Sequence, residues 1–301
     1  MAAQPITDAP GGAAQVALWR LLEVYHAVVY YAPERIVHYA RLGLTGGWMG
    51  YFATRSAPLG RVPPEVVTAL FYNFRHSMVA RALPAAWTYT TPEQATAARL
   101  RVVDDAMRRL LGDQALASAG LARAADLAVR AARACPLPGR PLAAAYQAQP
   151  VPEPAHLRLF WATAVLREYR GDGHIIALAE AGVDGCAAHV LMSALGLVPP
   201  EQRTHRGWTE TDWAEATARL ARRGWVRPDG RITELGVRRR AEIERTTDAL
   251  AAAPLRSIGA EAVAELVARM TPLVARIVTA GAVPYPNGMG VPAVAELASA
   301  S

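Results

Sequence analysis

Three short stretches of this chain carry residue types at spacings that can do chemistry. In HAVVYYAPE, His26 shares a helix face with Val29 and Tyr30, three and four positions on. A buried imidazole there can be a general base, a metal or haem ligand, or a hydrogen-bonded core residue. His38, further along, is expected at the surface. FYNFRHS is expected to bring Tyr72, Asn73, Arg75 and His76 within one helical turn, with Phe71 and Phe74 as core anchors. A few polar groups set in an aromatic wall are what a small-molecule pocket requires. REYRGDGH gathers Arg167, Glu168, Arg170, Asp172 and His174 around two glycines. Asp172 is expected to cap a helix starting near His174 and to orient its imidazole as an acid/base unit. The plainer reading of the same motif is a structural network in which Arg167 and Arg170 tie two domains together.

Composition removes several chemistries. All 32 basic residues are Arg, so no Walker lysine, Schiff-base lysine or pyridoxal phosphate attachment exists. Neither HExxH, CxxC, GxSxG nor a Rossmann GxGxxG occurs, and Cys135 and Cys186 lack partners at zinc spacing. They are expected to be reduced thiols. A net charge of +6 invites a polyanionic partner, but an all-Arg, Ala-crowded chain carries the bias of a GC-rich genome. No run of about 18 apolar residues suggests a membrane span, and the expected location is cytoplasmic.

The elements that would position these residues are helical. Periodic apolar residues begin at Ala14 to Val29. A glycine-rich stretch, Gly43 to Gly60, then carries Trp48 and Tyr51 where backbones can approach closely. A helix opening at Pro63-Pro64 is expected to break near Pro84, just before Trp87, and a helix pair to fill Pro92 to Arg133. Cys135 to Pro154 contains six prolines and is expected to be a linker. This divides the chain into an N-terminal helical domain (1–134), a linker (135–154), a second domain (155–280) and a loose tail (281–301).

The second domain reads as a winged helix-turn-helix. Thr209 with Asp212 three positions on specifies a helix start, and the helix runs to about Arg223. Trp213, Ala216, Thr217, Leu220 and Ala221 form its core stripe. Beyond it, WVR and RIT flank Pro228-Asp229-Gly230 as a hairpin wing, and Thr233 opens a helix bearing Arg238, Arg239 and Arg240. The fold class expected is mainly α, a helical N-terminal domain plus a winged helix-turn-helix domain with a small β-hairpin wing. Yet the turns that should meet DNA offer Glu210, Asp212 and Glu215, which phosphates repel. Glu215 and Arg219 are expected to pair across one helical turn.

HAVVYYAPE, GGWMGYFATRSAPLG, FYNFRHSMVARALPAAW and REYRGDGHIIALAEAGVDG together resemble the actinobacterial SalK-like helix-turn-helix family, whose C-terminal module is MarR-like. The resemblance implies a winged-helix-like fold and a setting beside natural-product genes, without fixing a reaction. The function expected is binding of an apolar or aromatic small molecule on this scaffold, with cofactor-independent acid/base catalysis (cyclase, isomerase or lyase type) as one form of it. Candidate catalytic residues are His26, His174 and Asp172. Candidate ligand-binding residues are Tyr30, Trp48, Tyr51, Tyr72, Asn73, Arg75, Trp87, Arg167 and Arg170. No metal site is expected. The alternative is a ligand-responsive, dimeric transcription regulator in which the wing arginines hold phosphates; a haem protein using His26 is a third option.

Overall fold

Local signals start most of the helices. The structure, a computed structural model, describes residues 12–291. In chain order the helices are α1 (Gly12–Tyr31), α2 (Glu34–Ala40), α3 (Gly47–Ser56), α4 (Pro64–Phe71), α5 (His76–Tyr89), α6 (Pro92–Leu116), α7 (Ala119–Arg133) and α8 (Pro141–Gln147). They continue as α9 (Ala155–Glu180), α10 (Gly185–Ala194), α11 (Gln202–His205), α12 (Glu210–Arg222), α13 (Glu234–Ala251), α14 (Ala253–Ile258) and α15 (Ala260–Thr279). Thr91 with Gln94 and Thr209 with Asp212 form reciprocal capping boxes, while Ser118, Asp184 and Thr233 cap α7, α10 and α13 singly. Removing any one of these side-chain caps would cost about 1 kcal/mol.

Two hydrophobic cores share one spine. The larger gathers α1 to α8, α14, α15 and the first part of α9, from Leu159 to Tyr169. The smaller begins at Ala177 on that same helix and takes in α10, α12, Trp225-Val226 and Ile243 of α13. The division between cores therefore runs through the middle of α9 rather than through 135–154. That proline-rich stretch is packed, not loose: Cys135, Arg140, Leu142 and Tyr146 are all buried.

An unbroken α9 replaces the expected break at Gly171-Asp172-Gly173. Glycine costs a helix interior up to about 1 kcal/mol per residue, and here close approach explains its presence. A Cβ on Gly173 would sit 2.3 Å from Nη1 of Arg140, which donates to the carbonyl of Tyr169 at 3.0 Å while Nη2 reaches that of Leu250 at 3.1 Å. Asp172 does cap a helix, but not its own. Its Oδ2 accepts from the backbone N–H groups of Leu142 and Ala143 at 3.1 and 3.0 Å, the first turn of α8.

Four further expectations change. α5 continues through Pro84 to Tyr89. FYNFRHS is not one helical turn: α4 ends at Phe71, Tyr72 adopts φ +51°, and α5 starts at His76. His38, expected at the surface, is buried and holds Asp105 at 2.7 Å. The wing is reduced to one antiparallel bridge, Val226 to Ile232, with no strand among the described residues. Its turn forms as expected, since Arg227 N–H donates to the carbonyl of Arg231 at 2.8 Å and Gly230 N–H to that of Arg227. A ladder cannot extend, because Thr233 already caps α13 one residue after the bridge.

The segment 281–291 is docked, not a loose tail. Val283, Asn287 and Val291 are buried, and the carbonyl of Gly288 accepts from Gln202 and Arg206. Residues 292–301 lie outside the described residues.

The strained Tyr72 is held where the two parts meet. Its hydroxyl donates to the carbonyl of Val183 at 2.7 Å, and a Cβ on Gly185 would lie 2.0 Å from its own carbonyl oxygen. Gly185→Ala must push α10 off this backbone, so we expect a loss of about 1–3 kcal/mol, read as a lower urea midpoint at unchanged slope. A midpoint matching wild type would show that the two parts do not depend on this contact.

Candidate functional site: an arginine-rich aromatic cleft

The second half of α1 places His26 and Tyr30 toward α6 and α9. His26 is fully buried, with its ring stacked on Phe160 at 4.9 Å. Nδ1 lies 3.3 Å from Oγ1 of Thr163, and Nε2 lies 3.3 Å from the Tyr30 hydroxyl and 3.2 Å from Nη2 of Arg99. These contacts fix the proton positions. Thr163 spends its hydroxyl proton on the carbonyl of Phe160, so its oxygen can only accept from Nδ1–H. Arg99 can only donate, so Nε2 carries the lone pair. Arg99 also donates to the Tyr30 oxygen at 3.0 Å, leaving the Tyr30 O–H to donate to Nε2.

Burial, aided by Arg167, Arg99 and Arg55, holds the His26 pKa well below the usual imidazole value. The result is a neutral base beside a phenol whose oxygen faces a guanidinium. Both nitrogens already have protein partners, so axial haem ligation would have to displace Thr163, or Tyr30 and Arg99 together. No cluster of three or more His, Cys, Asp or Glu suited to a metal occurs among the described residues.

One carboxylate organises the next layer. Glu168, 1% exposed, takes Arg55 in a two-point pair at 3.1 and 2.8 Å and Arg167 at 3.0 Å. Arg167 reaches on to Glu23 at 3.1 Å. Burial alone would raise the Glu168 pKa; Arg55 and Arg167 outweigh it and keep the group ionised. Arg55 also donates to the Tyr51 hydroxyl at 2.9 Å and lies 4.1 Å from the Phe71 ring centre. Although enclosed by protein, Arg55 and Arg167 keep 11% and 18% of their side chains accessible, so the space they face is open to water.

Aromatic rings pack beside these guanidinium groups. Tyr30 meets Tyr51 at 5.4 Å, and Trp48 stands edge-on to Tyr51 at 5.6 Å and to Phe74 at 5.5 Å. Arg206 closes the Trp48 end, 4.4 Å from the Phe74 ring centre and 5.9 Å from that of Trp48. Of the residues named from sequence, His26, Tyr30, Trp48, Tyr51 and Arg167 come together here.

The others lie elsewhere. Asp172 and His174 project to different neighbours, as residues two apart on a helix must. His174 bonds the Thr247 hydroxyl at 2.8 Å, while Arg170 joins Glu244 and Asp248 of α13. Trp87 packs on the larger core without ring contact to Trp48 or Tyr51 among the described residues. Tyr72, Asn73 and Arg75 contact the smaller unit. Sequence reasoning missed Arg55, Arg99, Thr163 and Arg206 as site residues. Arg99 had a readable signal, since it falls on the buried stripe Ala95, Ala98, Val102, Val103 and Ala106.

In the smaller unit α10 packs on α12. Arg75 binds Asp212 at 2.8 Å and the Trp208 indole N–H donates to the carbonyl of Asn73 at 3.1 Å, so the first turn of α12 is tied to the larger unit. Arg219 pairs with Asp184 at 2.6 Å, not with Glu215 as expected. Thr211, Ala214, Glu215, Ala218 and Arg222 remain exposed. A model described as a helix-turn-helix family matches residues 15–284. The chain belongs to this helix-turn-helix family. No curated protein matches the chain, and no solved structure does.

The helix-turn-helix family match spans the aromatic cleft as well as α10 to α13, so both belong to one family unit. No single helix among the described residues is long and apolar enough to cross a membrane.

Proposed function

We propose that this helix-turn-helix family member binds an aromatic small molecule in the cleft between α1, α3 and α9. The observation that carries this reading is the Tyr30 hydroxyl, oriented by Arg99 and a neutral His26 at the edge of a ring-lined space open to water. With its own proton turned to His26, the Tyr30 oxygen can accept a hydrogen bond from a bound ligand, or take the ligand's proton while passing its own to His26. Cofactor-independent proton transfer is the chemistry these groups would favour. The likeness of HAVVYYAPE and GGWMGYFATRSAPLG to SalK-like proteins supports a natural-product metabolite as the ligand class.

The test is thermal unfolding against a panel of aromatic metabolites of one to four rings. A binder present at about 100 times its Kd should add about 2.7 kcal/mol of stability. Tyr30→Phe removes the hydroxyl while keeping the ring, and should weaken that binder about tenfold. If no compound shifts the transition, the ligand-binding reading is lost.

A ligand-responsive regulator is the second reading, favoured by Arg206. It lies three residues before the Thr209 cap of α12, and its carbonyl accepts from Arg75 N–H at 3.0 Å. The exposed Arg227, Arg231 and Arg238 would hold phosphates. An electrophoretic shift with the upstream DNA across a salt series decides it: sequence-selective, salt-sensitive binding supports regulation, and its absence leaves the small unit as scaffold.

A further inference from the structure

Charge in the cleft does not balance. Four guanidinium groups, those of Arg55, Arg99, Arg167 and Arg206, are gathered around it, and the carboxylates paired with them are Glu168 and Glu23. Arg55 and Arg167 share these two acids. Among the described residues Arg99 and Arg206 have none.

The two uncompensated groups differ in access. Arg99, 3% exposed, lies behind Tyr30 and His26 and is engaged with both, although its Nε and Nη1 have no partner. Among the described residues Arg206, 8% exposed, has only the Gly288 carbonyl for its Nη2, and its Nε is buried without a partner. Its neighbours are the rings of Phe74 and Trp48, and Trp48 is 37% exposed, so a ligand can reach this end of the cleft. Ring faces compensate a buried cation only in part. A guanidinium left in this state is fitted to a carboxylate, which accepts from it in a planar, charge-assisted geometry.

We propose that the ligand of this cleft is an aromatic carboxylic acid, with its carboxylate on Arg206 and its ring system against Trp48 and Tyr51. This rests on the ligand-binding reading above and adds the charge and orientation of the ligand. A monoanion matches the site better than a phosphate dianion, since a single incompletely bonded guanidinium, Arg206, stands at the Trp48 end. The far end of the ring system would then approach the Tyr30 hydroxyl, past Tyr51. Arg55 and Arg167, held by Glu168, reinforce the positive field without being free to bind. Arg206 itself is depressed below the ordinary guanidinium value by burial and by Arg55 and Arg167, a cost that an anion would relieve.

The experiment compares matched acids and amides by calorimetry on the full chain: benzoate, 2-naphthoate and anthracene-2-carboxylate, each beside its neutral carboxamide. In wild type the best acid should bind at least about tenfold more tightly than its amide, the effect of one charge-assisted hydrogen bond. Arg206→Gln, which removes the charge and keeps a polar side chain, should erase that preference while amide affinity stays within about threefold. Arg206→Lys, retaining the charge, should keep part of the preference and serves as the readout if the Gln variant fails to fold. Equal binding of acid and amide in wild type, or a preference that survives Arg206→Gln, overturns the proposal while leaving ligand binding intact. No binding of any acid or amide overturns both.

Discussion

Glu168→Gln should lower stability by about 3–5 kcal/mol, the cost of leaving buried cations without their counter-ion. Glu168 is the one carboxylate that both Arg55 and Arg167 touch, and it is 1% exposed. The amide keeps the volume and one acceptor oxygen but cancels the charge. Arg167 retains Glu23, whereas Arg55 keeps only the Tyr51 hydroxyl and the Phe71 ring. At about 2–4 °C per kcal/mol for a chain of this size, the melting temperature should fall by on the order of 10 °C. A control is the exposed pair Arg108–Asp113, where Asp113→Asn should leave the denaturant midpoint close to that of wild type. Should Glu168→Gln unfold at the same denaturant midpoint as that control, the Arg55–Glu168–Arg167 network is not what joins α3 to α9.

This network also shows where sequence reading stops. The pair of Thr209 and Asp212, the α6–α7 pair and the shared face of His26 and Tyr30 are local features, fixed by spacings of three and four, and each forms. Arg55 and Glu168 are separated by 113 positions, and no periodicity connects them. Asp172 illustrates a subtler failure. An Asp ahead of an apolar run reads as an N-cap, and it does bond free helix N–H groups, but those of α8, about 30 positions earlier in the chain. The two glycines beside it read as a break because the chain between them looks flexible; the space one of them leaves is filled by Arg140. Arg75, read as a pocket residue, is taken by the capping carboxylate of α12. The acidic start of that helix, which argued against DNA, thus has two of its three carboxylates engaged within the molecule, Asp212 by Arg75 and Glu210 by Arg203.

Asp172 and His174 should impose opposite pH dependences on stability over the same interval. Burial raises the Asp172 carboxyl to about 6 from an ordinary 3.8, against the opposing pull of the Ala143 and Leu142 N–H groups. Between those values the folded chain binds the extra proton, so this group's contribution falls as pH rises from about 4 to about 6 and is level above. Burial lowers His174 to about 4 from 6.5, with Glu244 opposing and Arg240 and Arg170 assisting. There the unfolded chain binds the extra proton, so stability is full above 6.5 and is lost as pH falls toward 4. A shift of about two units corresponds to about 3 kcal/mol for each; His174, with 24% of its side chain accessible, contributes the smaller share. The two slopes largely cancel in wild type, which leaves the first acid loss to His26 and His189, both held well below the usual imidazole value by burial, joined below about pH 5 by Glu168 and Glu244, whose carboxylates their arginine partners hold low.

Single variants should separate the two contributions. Asp172→Asn keeps one oxygen for the two α8 N–H groups, since both bonds fall on Oδ2, and removes the titration. Its urea midpoint should match or exceed wild type at pH 7 and decline more steeply from pH 6.5 to 4. His174→Gln should decline less steeply than wild type over that range, with the Asp172 contribution now opposed only by the remaining histidines. Midpoints measured every half unit from pH 4 to 7 decide the matter. Curves for wild type and Asp172→Asn that run parallel would mean that the buried carboxylate is ionised throughout, held down by α8 more firmly than burial lifts it.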